Sequence, residues 1–201
     1  MLTEKESKVR ESMYIMGMKG INYYFSWFMR YFIVLFCIHL LCSIILARVL
    51  SNVPFYIIFV VFLLFDIVLI IQNFFIQVFL SRAKIGVVIS LLFFLIQYII
   101  SFLVSDDNST ATNTAISIIP HAAFGLAFRT IIFAESFQLT PSFGTNMNNY
   151  AIGTALGSFI INALVYLVLT WYLDQVFPNE WGAKRHPFFC CHEDTTTISE
   201  E

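Results

Sequence analysis

Residues 151–188 read AIGTALGSFIINALVYLVLTWYLDQVFPNEWGAKRHPF, and this stretch decides the fold. From Ala151 to Leu173 there is no charged side chain. An α-helix of that length covers the bilayer's hydrocarbon core, about 30 Å thick, with room to tilt. Trp171 and Tyr172 close the run with amphipathic rings suited to headgroup level, and Asp174 marks the return to water. Gly153 and Gly157 stand in G-x-x-x-G spacing, which lets a neighbouring helix approach closely in lipid. Lipid-facing glycines with no partner are the other reading of that short pattern.

The rest of the chain has the same character. Of 201 residues, 59% are hydrophobic and 12% charged, too apolar a balance for a water-soluble domain. A net charge of −2 gives no basic surface for nucleic acid. Cys37 and Cys42 lie within an apolar run and Cys190-Cys191 are adjacent in the tail, so the cysteines form no secreted disulfide framework. The first 19 residues are charged rather than opening into a short apolar core, which argues against a cleavable signal peptide.

Further apolar runs place spans at about 28–47, 55–80 and 85–104, with the fourth at 151–173. Tyr23, Tyr24 and Trp27 precede the first, and Arg30 is near enough to its end to snorkel. The second is long enough to require tilt or turns outside the core. Residues 115–134 are apolar too, but Pro120-His121 interrupts them, Arg129 lies inside and Glu135 follows. A lipid-facing arginine costs about 2.5–3.5 kcal/mol on insertion scales, enough to spoil a marginal span. This segment is therefore expected to be a re-entrant helical hairpin, its irregular backbone shielded by neighbouring helices.

With four crossings, both termini fall on one side. That side carries Lys5, Lys8, Arg10, Lys19, Arg82, Lys84, Lys184 and Arg185, against Arg48 and Arg129 on the other, so the positive-inside rule makes both ends cytoplasmic. The hairpin then enters from the outer face. Asn108-Ser109-Thr110 is a glycosylation sequon in the outer loop before it, with Asn108 the acceptor.

The N-terminal segment, residues 1–22, is expected to be an amphipathic helix from Thr3 to about Gly20. Thr3 and Glu6 have capping-box spacing, and Glu4–Lys8 and Glu6–Arg10 are i,i+4 pairs. Val9, Met13 and Met16 fall on one helical face. Residues alone leave two roles open for it, lying on the bilayer surface or docking on a protein.

Two polar residues stand near mid-membrane. Counting from a turn near Ser51, His39 is 12 residues in and Asp66 is 15, depths only a few ångströms apart. A proton- or substrate-linked site is one reading of that pair; a structural hydrogen bond is the reading favoured here. Gln72, Asn73, Gln97 and Asn162 are expected to make interhelical hydrogen bonds, each worth about 1 kcal/mol or less. His121 and Arg129 are read as interfacial anchors of the hairpin, the alternative being contact with lipid headgroups as a substrate leaves.

These features carry a family resemblance. Trp171-Tyr172-Leu173-Asp174-Gln175-Val176-Phe177-Pro178, then Trp181-Gly182 and Pro187-Phe188, resemble the W-Y-[LI]-[DE]-x-V-F-P-G-x-[YW]-G segment that ends membrane domains in subfamily A of the ATP-binding-cassette transporters. Asn179 replaces the family's Gly, and Ala183-Lys184 its apolar-Pro pair. Glu4-Lys5-Glu6, Lys8, Glu11-Ser12-Met13 and Met16-Gly17-Met18 resemble the family's cytoplasmic E-K-E-x-K-x-x-E-x-M-x-x-M-G segment. Phe79, Arg82-Ala83-Lys84 and Gly86 approximate its F-x-x-A-x-x-[AG] turn. Pro120, Phe124-Gly125-Leu126 and Glu135 resemble its outer-side L-x-P-x-A-F-G-L-G segment.

The resemblance implies an all-α membrane protein of four transmembrane helices, with a cytoplasmic coupling helix over 1–22, a transmembrane domain over 23–174 and a cytoplasmic tail over 175–201. It implies the membrane part of an ATP-driven transporter moving lipids. Glu4, Lys5, Glu6, Lys8, Glu11, Met13, Met16 and Gly17 would then form the coupling surface. The chain has no G-x-x-x-x-G-K-[ST] phosphate loop and is expected to bind no cofactor itself; ATP and Mg would belong to a separate nucleotide-binding domain. Partners would be that domain, the remaining transmembrane helices and membrane lipids. The chain would be a fragment, a truncated product or a subunit. A non-transporting tetraspan scaffold derived from such a transporter is the rival, and an intramembrane enzyme built on His39 and Asp66 a second. No H-E-x-x-H or G-x-S-x-G motif occurs, and His186, Cys190, Cys191 and His192 are poorly spaced for a metal, so no metal site is expected. Cys190 and Cys191 suit palmitoylation better.

Overall fold

The computed structural model describes residues 1–80, 82–103, 109–147 and 149–176, and in them the chain is almost wholly helical. The N-terminal segment forms two short helices, α1 (Leu2–Glu6) and α2 (Val9–Ile15). A single helix over this segment does not form, because Lys8 sits at φ 60° in the left-handed region and breaks the hydrogen-bond ladder. The Thr3–Glu6 capping box is also absent: α1 starts before Thr3, and no side chain caps it. Gly17, at φ 94°, turns the chain into the next helix, a conformation that favours glycine.

Among the described residues four helices are long and apolar enough to cross a bilayer: α3 (Gly20–Val49), α4 (Phe55–Val78), α5 (Ala83–Leu103) and, after the loop elements, α8 (Ile152–Val176). Between α5 and α8 lie α6 (Thr110–Ile116), α7 (Pro120–Ser136) and a two-stranded ribbon, β1 (Asn146–Met147) with β2 (Tyr150–Ala151). At 1.5 Å per residue the 30 residues of α3 reach about 45 Å, well beyond the core. Its first turns therefore project past the bilayer, carrying Tyr23, Tyr24 and Trp27.

The helix α4 is the hub. Of its apolar window 56% is buried, against 6% in α3 and 11% in α5. Ile57, Ile58, Val61 and Val68 of α4 pack with Ala123, Ala127 and Ile131 of α7 and with Ile152, Ala155 and Phe159 of α8. Alanines at 0% exposure along one face of α7 let it nest against its neighbours. The outer faces of α3 and α5 expose rows of large apolar side chains, among them Ile38, Leu41, Ile45, Leu91 and Leu95. In water so much apolar surface would drive aggregation; in lipid it carries no penalty. The fold is an all-α membrane protein.

Segments α6 and α7 form a deep helical hairpin. Ser117, at its turn, accepts a hydrogen bond on its carbonyl from Asn162 Nδ2, ten residues into α8. From there α7 rises alongside α5, with His121 beside Gln97 and Gly125 against Ser101. It ends where the Glu135 carboxylate accepts hydrogen bonds from Asn52 N–H (3.1 Å) and Nδ2–H (3.2 Å), in the turn between α3 and α4. The helical arms extend beyond the expected 115–134, since α6 begins at Thr110 and α7 runs to Ser136. The sequon residue Asn108, the motif from Phe177 onward and most of the tail lie outside the described residues.

Candidate functional site: the N-terminal clasp

Four charged residues of α1 and α2, namely Glu4, Lys5, Glu6 and Arg10, reach out to the ends of the four long helices, one partner helix each. Glu4 Oε2 accepts from the Tyr23 hydroxyl (2.9 Å) and from Trp27 Nε1–H (3.1 Å), both on α3. Lys5 Nζ donates to the carbonyls of Val78 (3.3 Å) and Leu80 (2.9 Å), at the C-terminal end of α4. Glu6 Oε2 accepts from Ala83 N–H (3.0 Å), the first residue of α5. Arg10 Nη2 donates to Asp174 Oδ1 on α8 at 3.3 Å. The signs follow the helix dipoles, an ammonium on the orphan carbonyls of α4 and a carboxylate on an orphan N–H of α5.

Arg10 is 8% exposed and stands within 5.5 Å of the Tyr14 ring centroid and 5.9 Å of that of Tyr23. Burial opposes its charge, but Asp174 with Tyr24 and Tyr14 outweighs burial and holds the guanidinium pKa above its ordinary value. Lys5 moves the other way, lowered by burial first and by the Arg10 charge second. The expected i,i+4 pairs, Glu4–Lys8 and Glu6–Arg10, are thus replaced. The break at Lys8 removes their helical spacing, and helix ends and partly buried partners outcompete exposed ion pairs. Glu11 lies in α2. Met13 is half-buried, whereas Ile15 and Met16 are 87% and 78% exposed and Gly17 is also exposed, so this end of the segment faces outward.

Sequence gave no hint that Arg10 pairs with a residue 164 positions away. The one available signal was that Asp174 is the first acid after the long uncharged run.

In the bilayer-depth region His39 Nδ1 lies 2.7 and 2.8 Å from the two oxygens of Asp66, which is 1% exposed. Phe62 stacks on the imidazole at 4.7 Å. Nearer the hairpin, Pro120 opens α7 and His121 Nδ1 meets Gln97 Oε1 at 2.5 Å, with Phe65 and Phe94 around the ring. Phe124 stacks on Phe65 at 4.2 Å. Arg129 lies on α7, half-buried.

Of the polar residues expected to bond between helices, Gln97 and Asn162 do so. Asn73 instead donates to Leu69 O on its own helix, and the buried amide of Gln72 has no hydrogen-bond partner among the described residues. Among the described residues, neither glycine of the G-x-x-x-G pair meets a neighbouring helix. Gly153 approaches a loop, donating its N–H to Phe143 O at 2.7 Å, and a Cβ on Gly157 would meet nothing within 4 Å. Among the described residues no group of three or more metal-ligating side chains occurs.

A bundle of four bilayer-length helices, a deep hairpin and a charged clasp at one end defines a multi-pass integral membrane protein. The model of the ABC-2 family transporter proteins matches residues 1–172, and the chain belongs to that family. It is 25% identical over 195 residues to ABC transporter A family member 5 of Dictyostelium discoideum, covering 94% of this chain and 12% of that relative. To the human retinal-specific phospholipid-transporting ATPase ABCA4 it is 25% identical over 201 residues, 94% of this chain and 9% of the relative. To human ATP-binding cassette sub-family A member 2 it is 26% identical over 206 residues, covering 94% and 8%. The chain thus spans about a tenth of the length of the curated relatives it matches, as a membrane domain homologous to theirs.

Proposed function

We propose that this chain is the transmembrane part of an ATP-driven transporter that moves lipids, with the clasp as its coupling element. One observation carries the reading: Glu4, Lys5, Glu6 and Arg10 each hold a different bilayer-length helix, while Ile15 and Met16 stay exposed on the same segment. A push on that exposed end reaches all four helices through short polar contacts. A nucleotide-binding domain is the partner that would supply the push, and ATP with its magnesium would reside there. Lipid as cargo is supported by a relative whose name states phospholipid transport.

The clasp side is the cytoplasmic side in this reading, supported by the lysines and arginines gathered there. The α6–α7 hairpin then dips in from the outer face and returns. Its shielding by α4, α5 and α8 satisfies the condition for irregular backbone at membrane depth. His121 is held inside an aromatic box, which favours an anchoring role over contact with departing lipid.

The test is co-purification. The tagged chain, extracted from native membranes in mild detergent, should bring down an ATPase-bearing polypeptide, and Ile15→Asp with Met16→Asp should release it. Consistent absence of any ATPase partner would favour the non-transporting scaffold.

A further inference from the structure

Inside the clasp lies a small cleft of about 10 Å³, lined by Leu2, Lys5, Arg10, Tyr24, Gln77 and Val78 among others. That is about the space one water molecule needs. Two polar atoms of its lining residues are shielded from solvent and have no hydrogen-bond partner among the described residues, Arg10 Nε and Gln77 Oε1. Arg10 as a whole is only 8% exposed. We propose that one water molecule in this cleft joins the two atoms, so that Gln77 belongs to the clasp and Arg10 grips α4 as well as α8.

The donor set fits a water. Arg10 already commits Nη2 to Asp174 Oδ1 at 3.3 Å, which leaves Nε–H as a separate donor. That group can only donate, and Gln77 Oε1 can only accept. Leaving either one buried and unpaired is costly, and a bridging water satisfies both by accepting from the first and donating to the second. Lys5 supplies a third contact. Its ammonium has three N–H donors and places two on the carbonyls of Val78 (3.3 Å) and Leu80 (2.9 Å), and it lines the same cleft. Three polar partners are typical of a buried water. Other occupants fit less well. A cation would face Arg10 and Lys5, and a halide, larger than water, would sit against the Gln77 oxygen.

Gln77 stands one residue before the end of α4, in the turn whose carbonyls Lys5 holds. The water therefore fastens the second short helix to the place on α4 that the first already grips. Through one side chain Arg10 then links the end of α4, the hub of the bundle, to the end of α8. The bridge needs only contacts within this chain, and so it stands apart from the transport reading.

Thermal midpoints of the purified full chain in detergent test it through a double-mutant cycle. Gln77→Met keeps the shape of the side chain and removes the acceptor, and should lower the midpoint by about 4 °C. Arg10→Lys keeps the positive charge and removes Nε. In that background Gln77→Met should cost less than half as much. Gln77→Glu keeps an acceptor oxygen and should hold or raise the parent's midpoint. Replacing chloride by gluconate at equal ionic strength should change nothing. Equal loss from Gln77→Met in both backgrounds, or no loss in the parent, overturns the bridge. A fall with Gln77→Glu as large as with Gln77→Met, or a midpoint that depends on chloride, makes the occupant an anion and overturns the water.

Discussion

Arg10 Nη2 lies 3.3 Å from Asp174 Oδ1, tying the second short helix of the chain to the last turns of its final membrane helix. The two side chains are 9% and 21% exposed, so the pair is shielded from solvent and salt more than a surface bridge. Removing one partner leaves the other charge partly buried and uncompensated. Arg10→Ala or Asp174→Ala is expected to destabilise the chain by about 1–3 kcal/mol, read as a lowered midpoint of thermal aggregation in detergent. A midpoint unchanged in both variants would show that the contact does not hold the clasp.

Glu6 caps α5 from another helix, accepting the Ala83 N–H at 3.0 Å. Glu6→Ala should cost about 1 kcal/mol, as loss of an N-cap does, and Glu6→Gln should retain part of it. Hydrogen exchange at the first turn of α5 checks this directly. Faster exchange there, with the centre of α5 unaffected, is the expected pattern.

The His39–Asp66 pair is read as a structural tie between α3 and α4. On that reading Asp66→Leu alone destabilises by about 2 kcal/mol, by leaving a half-buried imidazole unpaired, and His39→Phe with Asp66→Leu recovers most of the loss. Transport by the double variant should persist. Loss of transport in a stable double variant would instead make the pair part of the mechanism.

Gly125 faces Ser101 so closely that a Cβ on it would collide with the serine hydroxyl. Gly125→Ala is expected to destabilise by about 1–3 kcal/mol through overpacking between α5 and α7, and adding Ser101→Gly should relieve it. Thermal midpoints of the two variants, measured side by side, decide the point.

The long elements were legible because lipid imposes a simple rule: a predominantly apolar run of sufficient length must be a helix. That is why α4 and α8 could be placed from residues near Phe55 and Ala151. That residues 115–134 form no fifth long helix was legible in part, through Pro120, which opens α7; their re-entry into the membrane belongs to the proposed function. The clasp was not. Its residues were visible as charges, but helical periodicity assigns them neighbours three or four positions away, whereas the partners of Glu6 and Arg10 are 77 and 164 positions distant. Nor could periodicity foresee that Lys8 would take a left-handed conformation and cut the segment in two. Gly153, read as part of a helix-packing face, meets the loop carbonyl of Phe143, a contact that no spacing rule announces.

The most direct test of the clasp as a coupling element is reversal of its longest-range pair. In the proposed assembly with an ATPase-bearing polypeptide, Arg10→Asp and Asp174→Arg are each expected to reduce lipid-stimulated ATP hydrolysis about tenfold or more while basal hydrolysis continues. The double reversal, Arg10→Asp with Asp174→Arg, is expected to restore at least half of the stimulation. Full stimulation in the single variants, or a double variant as uncoupled as either single one while still folded, would contradict the account.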